Sequence, residues 1–175
     1  MKTIVIYTSQ TGFTKMYAQW ISEASGAECV EFKQAKKKNL SDYDAVIYGS
    51  WFMAGGVTKL NWFKNQIAEL SFESKKIIVY MVGASPAESP DIPLAMERNF
   101  SGEEWKGVKT FYCPGGLNYD KMNFLSRFAM KMLAKSLTSK KDATEKDKDM
   151  AQMISHSYDI SDKKYIEPIL DELRK

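Results

Sequence analysis

The sequence is poor in the residues from which disulfides and metal sites are built. Its 175 residues include only two cysteines, Cys29 and Cys113, and one histidine, His156. Two cysteines far apart and without CxxC spacing predict reduced, buried thiols rather than a disulfide framework. The same shortage of ligands and bases disfavours zinc sites and histidine-dependent catalytic triads.

Long apolar runs are also missing. No run approaches the roughly 18 residues of a membrane span, and the opening "MKTIVIYTS" lacks the apolar core and cleavage site of a signal peptide. We therefore expect a cytoplasmic protein. A chain of this length can bury one substantial core, so we expect a single domain over residues 1–175.

Charge gives little indication of a polyanionic partner. The formal net charge is +3, and lysines cluster in residues 33–38 and 135–149. Because Asp and Glu are interleaved with the lysines of the second cluster, we interpret it as a solvated loop. A nucleic-acid partner is not expected.

Strand-like and helix-like segments alternate along the chain. Runs rich in β-branched and aromatic residues predict buried strands at residues 3–8, 28–32, 44–50, 75–85 and 107–116. Apolar residues at helical spacing predict helices at residues 14–24, 59–70, 92–100, 119–137 and 161–174. Parallel strands joined by right-handed helical crossovers form a doubly wound α/β sheet with helices on both faces.

Three loops follow strands whose carboxyl ends meet at the ligand-binding edge of such a sheet. They are "SQTGFT" (residues 9–14), "SWFMAGG" (50–56) and "GASPAES" (83–89). Hydroxyls and a glycine before a helix are typical of a phosphate site, and also of an ordinary capped turn. Trp51 and Phe52 either flank a flat ring or pack on the next helix. Taken together, the loops favour a ligand with a phosphate tail and an aromatic head.

Two other phosphate-linked α/β classes are disfavoured by the same loops. The P-loop pattern GxxxxGK[ST] is absent after every predicted strand. A phosphoacceptor receiver needs acidic residues at the end of the first strand, where this chain has Thr8 and Ser9.

The first loop resembles the phosphate loop of the flavodoxin family, whose pattern is hydroxyl, any residue, Thr-Gly, any residue, Thr. The resemblance implies a flavodoxin-like five-stranded parallel sheet of order 2-1-3-4-5, with FMN as the cofactor. It implies a phosphate cradle formed by Ser9, Gln10, Thr11, Gly12, Phe13 and Thr14. It also implies ring-binding loops formed by Ser50, Trp51, Phe52, Met53, Ala54 and Gly55 and by Gly83, Ala84 and Ser85. Backbone donors to the ring are expected around residues 54–56.

A second resemblance lies in "GGLNYDKMNFLSRF" (residues 115–128), which is similar to the menaquinone-dependent protoporphyrinogen dehydrogenase branch of flavodoxin-like proteins. The matching positions are Gly115, Leu117, Tyr119, Arg127 and Phe128. In the following "DKMNFL" the only basic residue is Lys121, where members of that branch carry several. The resemblance implies an FMN-dependent oxidoreductase for a planar substrate such as protoporphyrinogen, with a quinone acceptor. The alternative is a flavodoxin-type carrier of single electrons to a partner protein.

The helix predicted at residues 119–137 bears on that choice. Its broad apolar face is interpreted as packing on the core, with peripheral membrane contact as the alternative; the face comprises Met122, Leu125, Phe128, Ala129, Met132 and Leu133. Methionines of this segment, with Tyr119 and Phe124, are also expected to shape an apolar ledge over the flavin. With a pI of about 8.7, the chain lacks the negative surface charge that is typical of carrier flavodoxins. This difference favours an enzyme over a carrier. No acidic or basic side chain is assigned a catalytic role.

Overall fold

A computed structural model describes residues 1–53, 55–70 and 74–175. The strands are β1 (Thr3–Tyr7), β2 (Glu28–Glu31), β3 (Ala45–Met53), β4 (Gly56–Val57), β5 (Lys76–Gly83), β6 (Lys109–Pro114), β7 (Gly116–Leu117) and β8 (Tyr158–Asp159). The α-helices are α1 (Phe13–Ser25), α2 (Phe32–Ala35), α3 (Leu60–Ile67), α4 (Asp91–Phe100), α5 (Phe124–Ser139), α6 (Glu145–Ile154) and α7 (Glu167–Arg174). The predicted alternation of strands and helices is confirmed.

The main sheet has the order β2-β1-β3-β5-β6, and all neighbours along this path are parallel. Counting only these five strands, the order is 2-1-3-4-5, as predicted. The short β4 folds back as an antiparallel partner of β3. Most of β1, most of β5 and residues 45–50 of β3 are buried on both faces, so these segments do not alternate between buried and exposed positions.

Apolar layers cover both faces of the sheet. On one face Val46, Tyr48 and Val79 pack with Phe63 and Ile67 of α3. On the opposite face the intervening strand residues, such as Ile47 and Ile78, pack with α1 and α7. This two-sided burial is what a doubly wound sheet requires. Cys113 is buried as expected, whereas Cys29 is partly exposed, and both are free thiols.

The segment between β6 and α7 departs from the sequence-based prediction. Residues 135–149 were predicted to form a solvated loop, and that prediction is wrong: α5 continues to Ser139 and α6 begins at Glu145. Thr144 and Asp147 form a capping box, in which the Thr144 hydroxyl accepts from the Asp147 N–H at 3.1 Å and the Asp147 carboxylate accepts from the Thr144 N–H at 2.9 Å. The alternating charges therefore cover the solvated side of a helix.

The α5–α6 hairpin leaves the sheet and returns to it through a narrow neck. β7 and β8 pair antiparallel at this neck, and the Ile160 N–H donates to the Gly115 carbonyl at 2.8 Å. Gly116 has φ +149°, and a Cβ there would lie 2.1 Å from the Tyr158 carbonyl oxygen, so the close approach needs glycine. The hairpin has its own small core, centred on Leu117, Leu137, Ala151 and Ile154.

Helix α5 also differs from its prediction in start and in packing. It begins at Phe124, where the Asn123 side chain accepts from the Ser126 N–H at 2.8 Å, rather than at residue 119. The expectation that its apolar face packs on the core is wrong for most of that face. The exposed fractions are 85% for Phe124, 73% for Leu125, 53% for Phe128, 49% for Met132 and 47% for Leu133. Within the described residues, no helix combines the length and apolar character of a membrane span.

Candidate functional site

A cavity of about 300 Å³ opens at the carboxyl edge of the sheet. This volume is at the lower end of the usual range for ligand pockets. Its walls come from the three predicted loops and from α5, which crosses above them. The lining comprises Gln10, Thr11, Phe13, Thr14, Trp51, Phe52, Val82, Gly83, Ala84, Gly116, Leu117, Met122, Ser126, Ala129, Met130 and Leu133. Along the described chain, no ionisable side chain lines this cavity.

The first loop connects β1 to the N-terminus of α1. Gly12 is the N-cap residue of α1 with φ +105°, a backbone conformation that favours glycine, and it has no side chain with which to cap the helix. Its N–H donates to the Ser9 hydroxyl at 3.1 Å, which shapes the turn. Thr14 is almost fully buried, and its carbonyl accepts from the Tyr80 hydroxyl at 3.1 Å. The loop is thus a rigid, uncharged turn around a helix N-terminus, which suits an anionic group.

The second loop is the hairpin formed by the end of β3 and β4. Trp51 and Phe52 lie on its β3 side and both line the cavity. Ser50 is fully buried, and its hydroxyl donates to the Thr58 carbonyl at 2.6 Å, so it closes the hairpin from inside. Met53 belongs to β3 and pairs with Gly56, whereas Ala54 lies outside the described residues.

Asn99 of α4 holds the β4 side of this hairpin. Its side-chain amide donates to the Gly55 carbonyl at 3.2 Å, and its side-chain oxygen accepts from the Val57 N–H at 3.3 Å. One side chain therefore satisfies two backbone groups that flank the turn. The sequence pattern gave no indication of this role, because Asn99 is more than forty positions away from the hairpin along the chain.

The third loop begins where β5 ends, and two tyrosines hold it. The Tyr112 hydroxyl donates to the Ser85 carbonyl at 2.8 Å, and the Tyr158 hydroxyl donates to the Ala84 carbonyl at 2.7 Å. Burial is the main cause that raises the pKa of Tyr158 to about 12 and raises that of Tyr112 further, so both phenols remain donors over the physiological range. Gly83 and Ala84 line the cavity, while Ser85 contributes its backbone to this bracing.

Helix α5 closes the site from above. Its residues Ala129 and Leu133 line the cavity, and so does Met122 just before the helix, as the expectation of an apolar ledge requires. The Ser126 hydroxyl donates to the Gln10 side-chain oxygen at 3.1 Å, which ties α5 to the first loop. The two aromatic residues expected on the ledge lie elsewhere: Phe124 is exposed, and the Tyr119 hydroxyl donates to the Ile154 carbonyl at 2.5 Å.

Arg127 anchors the start of α5 rather than presenting charge to the cavity. Its guanidinium donates to the Tyr119 carbonyl, and its buried Nε has no hydrogen-bond partner in the part of the chain that the structure describes. Over the same ranges, no group of three or more His, Cys, Asp and Glu side chains is placed to hold a metal ion. The cavity therefore offers shape, apolar surface and neutral donors.

A parallel sheet of this order, with a glycine turn at a helix N-terminus beside an aromatic-lined cavity, is typical of α/β proteins that bind a phosphorylated planar cofactor. Residues 4–145 match the family model of the flavodoxin domain. The chain therefore belongs to the flavodoxin domain family, and this membership supports the predicted cofactor, FMN. A comparison with the sequences of curated proteins gave no match.

Several solved structures have a similar fold. Oxidised flavodoxin 2 from Bacillus cereus is 16% identical, with 89% of this chain and 98% of that chain covered and a TM-score of 0.49. A flavoprotein from Lactobacillus acidophilus in complex with FMN is 16% identical, with coverages of 65% and 91% and a TM-score of 0.44. The Trp repressor binding protein from Bacillus subtilis is 17% identical, with coverages of 67% and 85% and a TM-score of 0.47.

The residues at the carboxyl edge fit FMN. The turn at Gly12 leaves the start of α1 without a side-chain cap, as an anion-binding turn requires. Trp51 and Phe52 offer flat apolar surface to a ring, and the cavity continues from them to Thr11 and Thr14 without a charged side chain. These features agree with a cofactor that has a phosphate at one end and an aromatic ring system at the other.

Proposed function

We propose that this flavodoxin-family protein is an FMN-dependent oxidoreductase for a planar, apolar substrate. Protoporphyrinogen or a similar molecule is the specific candidate substrate, and a quinone is the candidate acceptor. The observation that supports this proposal is the shared cavity, in which Ala129 and Leu133 of α5, together with Met122 just before the helix, line the same space as the loops that would hold FMN. A protein that only hands electrons to another protein has no need of an apolar chamber above its cofactor.

The chain's own residues would then bind and orient rather than exchange protons. Thr11 and Thr14, with the backbone of residues 9–14, would hold the phosphate. Trp51 would lie against the ring, and Gly83 and Ala84 would border it. FMN supplies the redox chemistry when it is bound. Helix α5 would keep water from the ring, since it covers the cavity with apolar side chains.

We further propose that the outer face of α5 touches a membrane surface. Phe124, Leu125 and Phe128 are exposed there. The helix carries the exposed Lys131 and Lys135 and has no acidic residue. An exposed apolar stripe with a basic flank suits an interface with anionic lipids, where quinones are dissolved. Contact through α5 would bring the cavity next to such an acceptor.

The test of turnover uses FMN-loaded protein. Reduced protein is mixed with a menaquinone analogue, oxidised protein is mixed with protoporphyrinogen, and flavin absorbance is followed in both. We expect reaction with both, and we expect Ala129→Phe, which fills part of the cavity, to slow it at least tenfold when FMN is still bound. No turnover with either molecule, together with rapid single-electron exchange with a flavodoxin reductase, would favour the carrier function.

The membrane contact is tested separately by co-sedimentation with anionic vesicles. A Phe124→Ser/Leu125→Ser variant should lose binding to the vesicles. Leu94→Ser is the matched control, because Leu94 of α4 is also exposed, at 54%, but lies on a different helix. Equal binding by both variants would contradict a role for α5 at the membrane.

A further inference from the structure

A lysine lies beside the uncharged turn that would hold the FMN phosphate. The Nζ atom of Lys121 is 3.7 Å from the position that a Cβ would take at Gly12. Lys121 also lines a second cleft, which shares Thr11 and Phe13 with the large cavity and includes Gly12 itself. We propose that Lys121 supplies a positive charge to the cofactor's phosphate, an inference that rests on the proposed function.

The backbone that carries Lys121 is well held. The Lys121 N–H donates to the Asn118 side-chain oxygen at 3.1 Å, and the Met122 N–H donates to the Asn118 carbonyl at 3.1 Å. The Tyr119 N–H donates to the Ser157 hydroxyl at 3.0 Å, across the neck of the α5–α6 hairpin. The position of the lysine relative to Gly12 is therefore set by the hairpin, which the flavodoxin sheet itself does not require.

The ammonium group has no acidic partner that would keep it from a phosphate. Among residues 1–53, 55–70 and 74–175, no carboxylate forms an ion pair with Lys121. Asp159 lines the same cleft, but its carboxylate accepts from the Ser161 N–H at 2.9 Å and from the Ser161 hydroxyl at 2.5 Å. Within the described residues, the ammonium group of Lys121 is thus free of an acidic partner and is able to pair with a phosphate dianion at this turn.

The expected effect is moderate because Lys121 is exposed to solvent. A phosphate monoester carries about −1.5 to −2 charges at pH 7, and a hydrogen bond between two charged groups is stronger than a neutral one. Exposure and salt reduce this advantage. Loss of the charge should therefore weaken FMN binding about five- to tenfold, and less at high ionic strength.

The experiment measures dissociation constants for FMN and for riboflavin, which has no phosphate, by flavin fluorescence at low and high salt. Lys121→Gln should weaken FMN about five- to tenfold and leave riboflavin unchanged. Lys121→Arg should keep the affinity of the unaltered protein within about twofold. Lys106→Gln is the matched control, because Lys106 is exposed and precedes β6, at the opposite edge of the sheet.

The outcomes separate this inference from the proposed function. Equal FMN affinity in Lys121→Gln and Lys106→Gln overturns the role of Lys121 and leaves the FMN site intact. Equal weakening of FMN and riboflavin in Lys121→Gln also overturns it, because the effect would then be on structure rather than on phosphate. Failure of the unaltered protein to bind FMN overturns the proposed function together with this inference.

Discussion

Removing the hydroxyls of Tyr112 and Tyr158 should loosen the third loop and weaken FMN binding. Each hydroxyl makes one short hydrogen bond to a loop carbonyl, at 2.8 and 2.7 Å. A hydrogen bond of this kind contributes about 0.5 to 1.5 kcal/mol net, so the double Tyr→Phe variant should lose roughly 1 to 3 kcal/mol of unfolding free energy. The acceptors, Ala84 and Ser85, are adjacent, so the two losses need not be additive.

Part of this loss should appear in cofactor binding, because Gly83 and Ala84 form the cavity wall. If about half of this free energy is lost from cofactor binding, FMN affinity falls roughly two- to twelvefold, since about 1.4 kcal/mol corresponds to a factor of ten. Fluorescence titration with FMN gives the affinity, and urea unfolding gives the stability.

Tyr43→Phe is the matched control. Its hydroxyl also makes one hydrogen bond, to Glu28 at 2.5 Å, but Tyr43 precedes β3, at the opposite edge of the sheet. The control should lose stability and keep its FMN affinity. If the double variant also keeps its FMN affinity while its stability falls, the tyrosines hold the fold and not the site, and the reasoning is refuted.

Three further predictions concern the same edge of the sheet. Thr14→Ala should weaken FMN about five- to thirtyfold and riboflavin little, because a neutral donor to a phosphate contributes about 1 to 2 kcal/mol; equal weakening in titrations with both would contradict this role. FMN should quench tryptophan fluorescence, and Trp51→Ala should reduce the quenching and weaken binding about two- to tenfold, since stacking contributes about 0.5 to 1.5 kcal/mol; unchanged quenching would point to another tryptophan. Burial raises the pKa of Tyr158 to about 12, so its protonated form stabilises the fold fully below the unfolded value of about 10 and loses this contribution as the pH rises through about 12. Urea unfolding between pH 9 and 12 should show that decline, and Tyr158→Phe should show a smaller one.

The sheet was predictable from the sequence because each strand can be recognised from the residues within it. Runs such as residues 4–7 and 77–82 are continuously apolar, as is typical of strands that are buried on both faces. The first loop was equally visible, since its hydroxyls and Gly12 lie together in the chain. Both features are formed by residues that are adjacent in the chain, so the local pattern was sufficient to predict them.

The hairpin of α5 and α6 shows where local pattern fails. The spacing of Leu125, Phe128 and Met132 predicts an amphipathic helix correctly, but periodicity does not identify what covers the apolar face. In the structure that face is exposed. Helix α6 has few apolar residues among many charged ones, a composition that is also typical of a solvated loop. The capping box at Thr144 was the local signal in the sequence that favoured a helix.

The bracing of the site was not predictable for a related reason. Asn99, Tyr112 and Tyr158 act on loops that are distant from them in sequence, at 27 to 74 positions for the three contacts. Their side chains do not differ locally from those of any buried tyrosine or helical asparagine. Only the register of the strands and the neck at β7 and β8 brings them to the site.

The central claim, that the carboxyl edge of this flavodoxin-family sheet holds FMN, is tested most directly by reconstitution. Purified protein is incubated with excess FMN, separated from free flavin and denatured, and the released flavin is identified and quantified. We expect one FMN per chain, with flavin absorbance bands before denaturation and weaker retention of riboflavin, which lacks the phosphate. If no flavin is retained after incubation with excess FMN, the carboxyl edge of the sheet is not an FMN site.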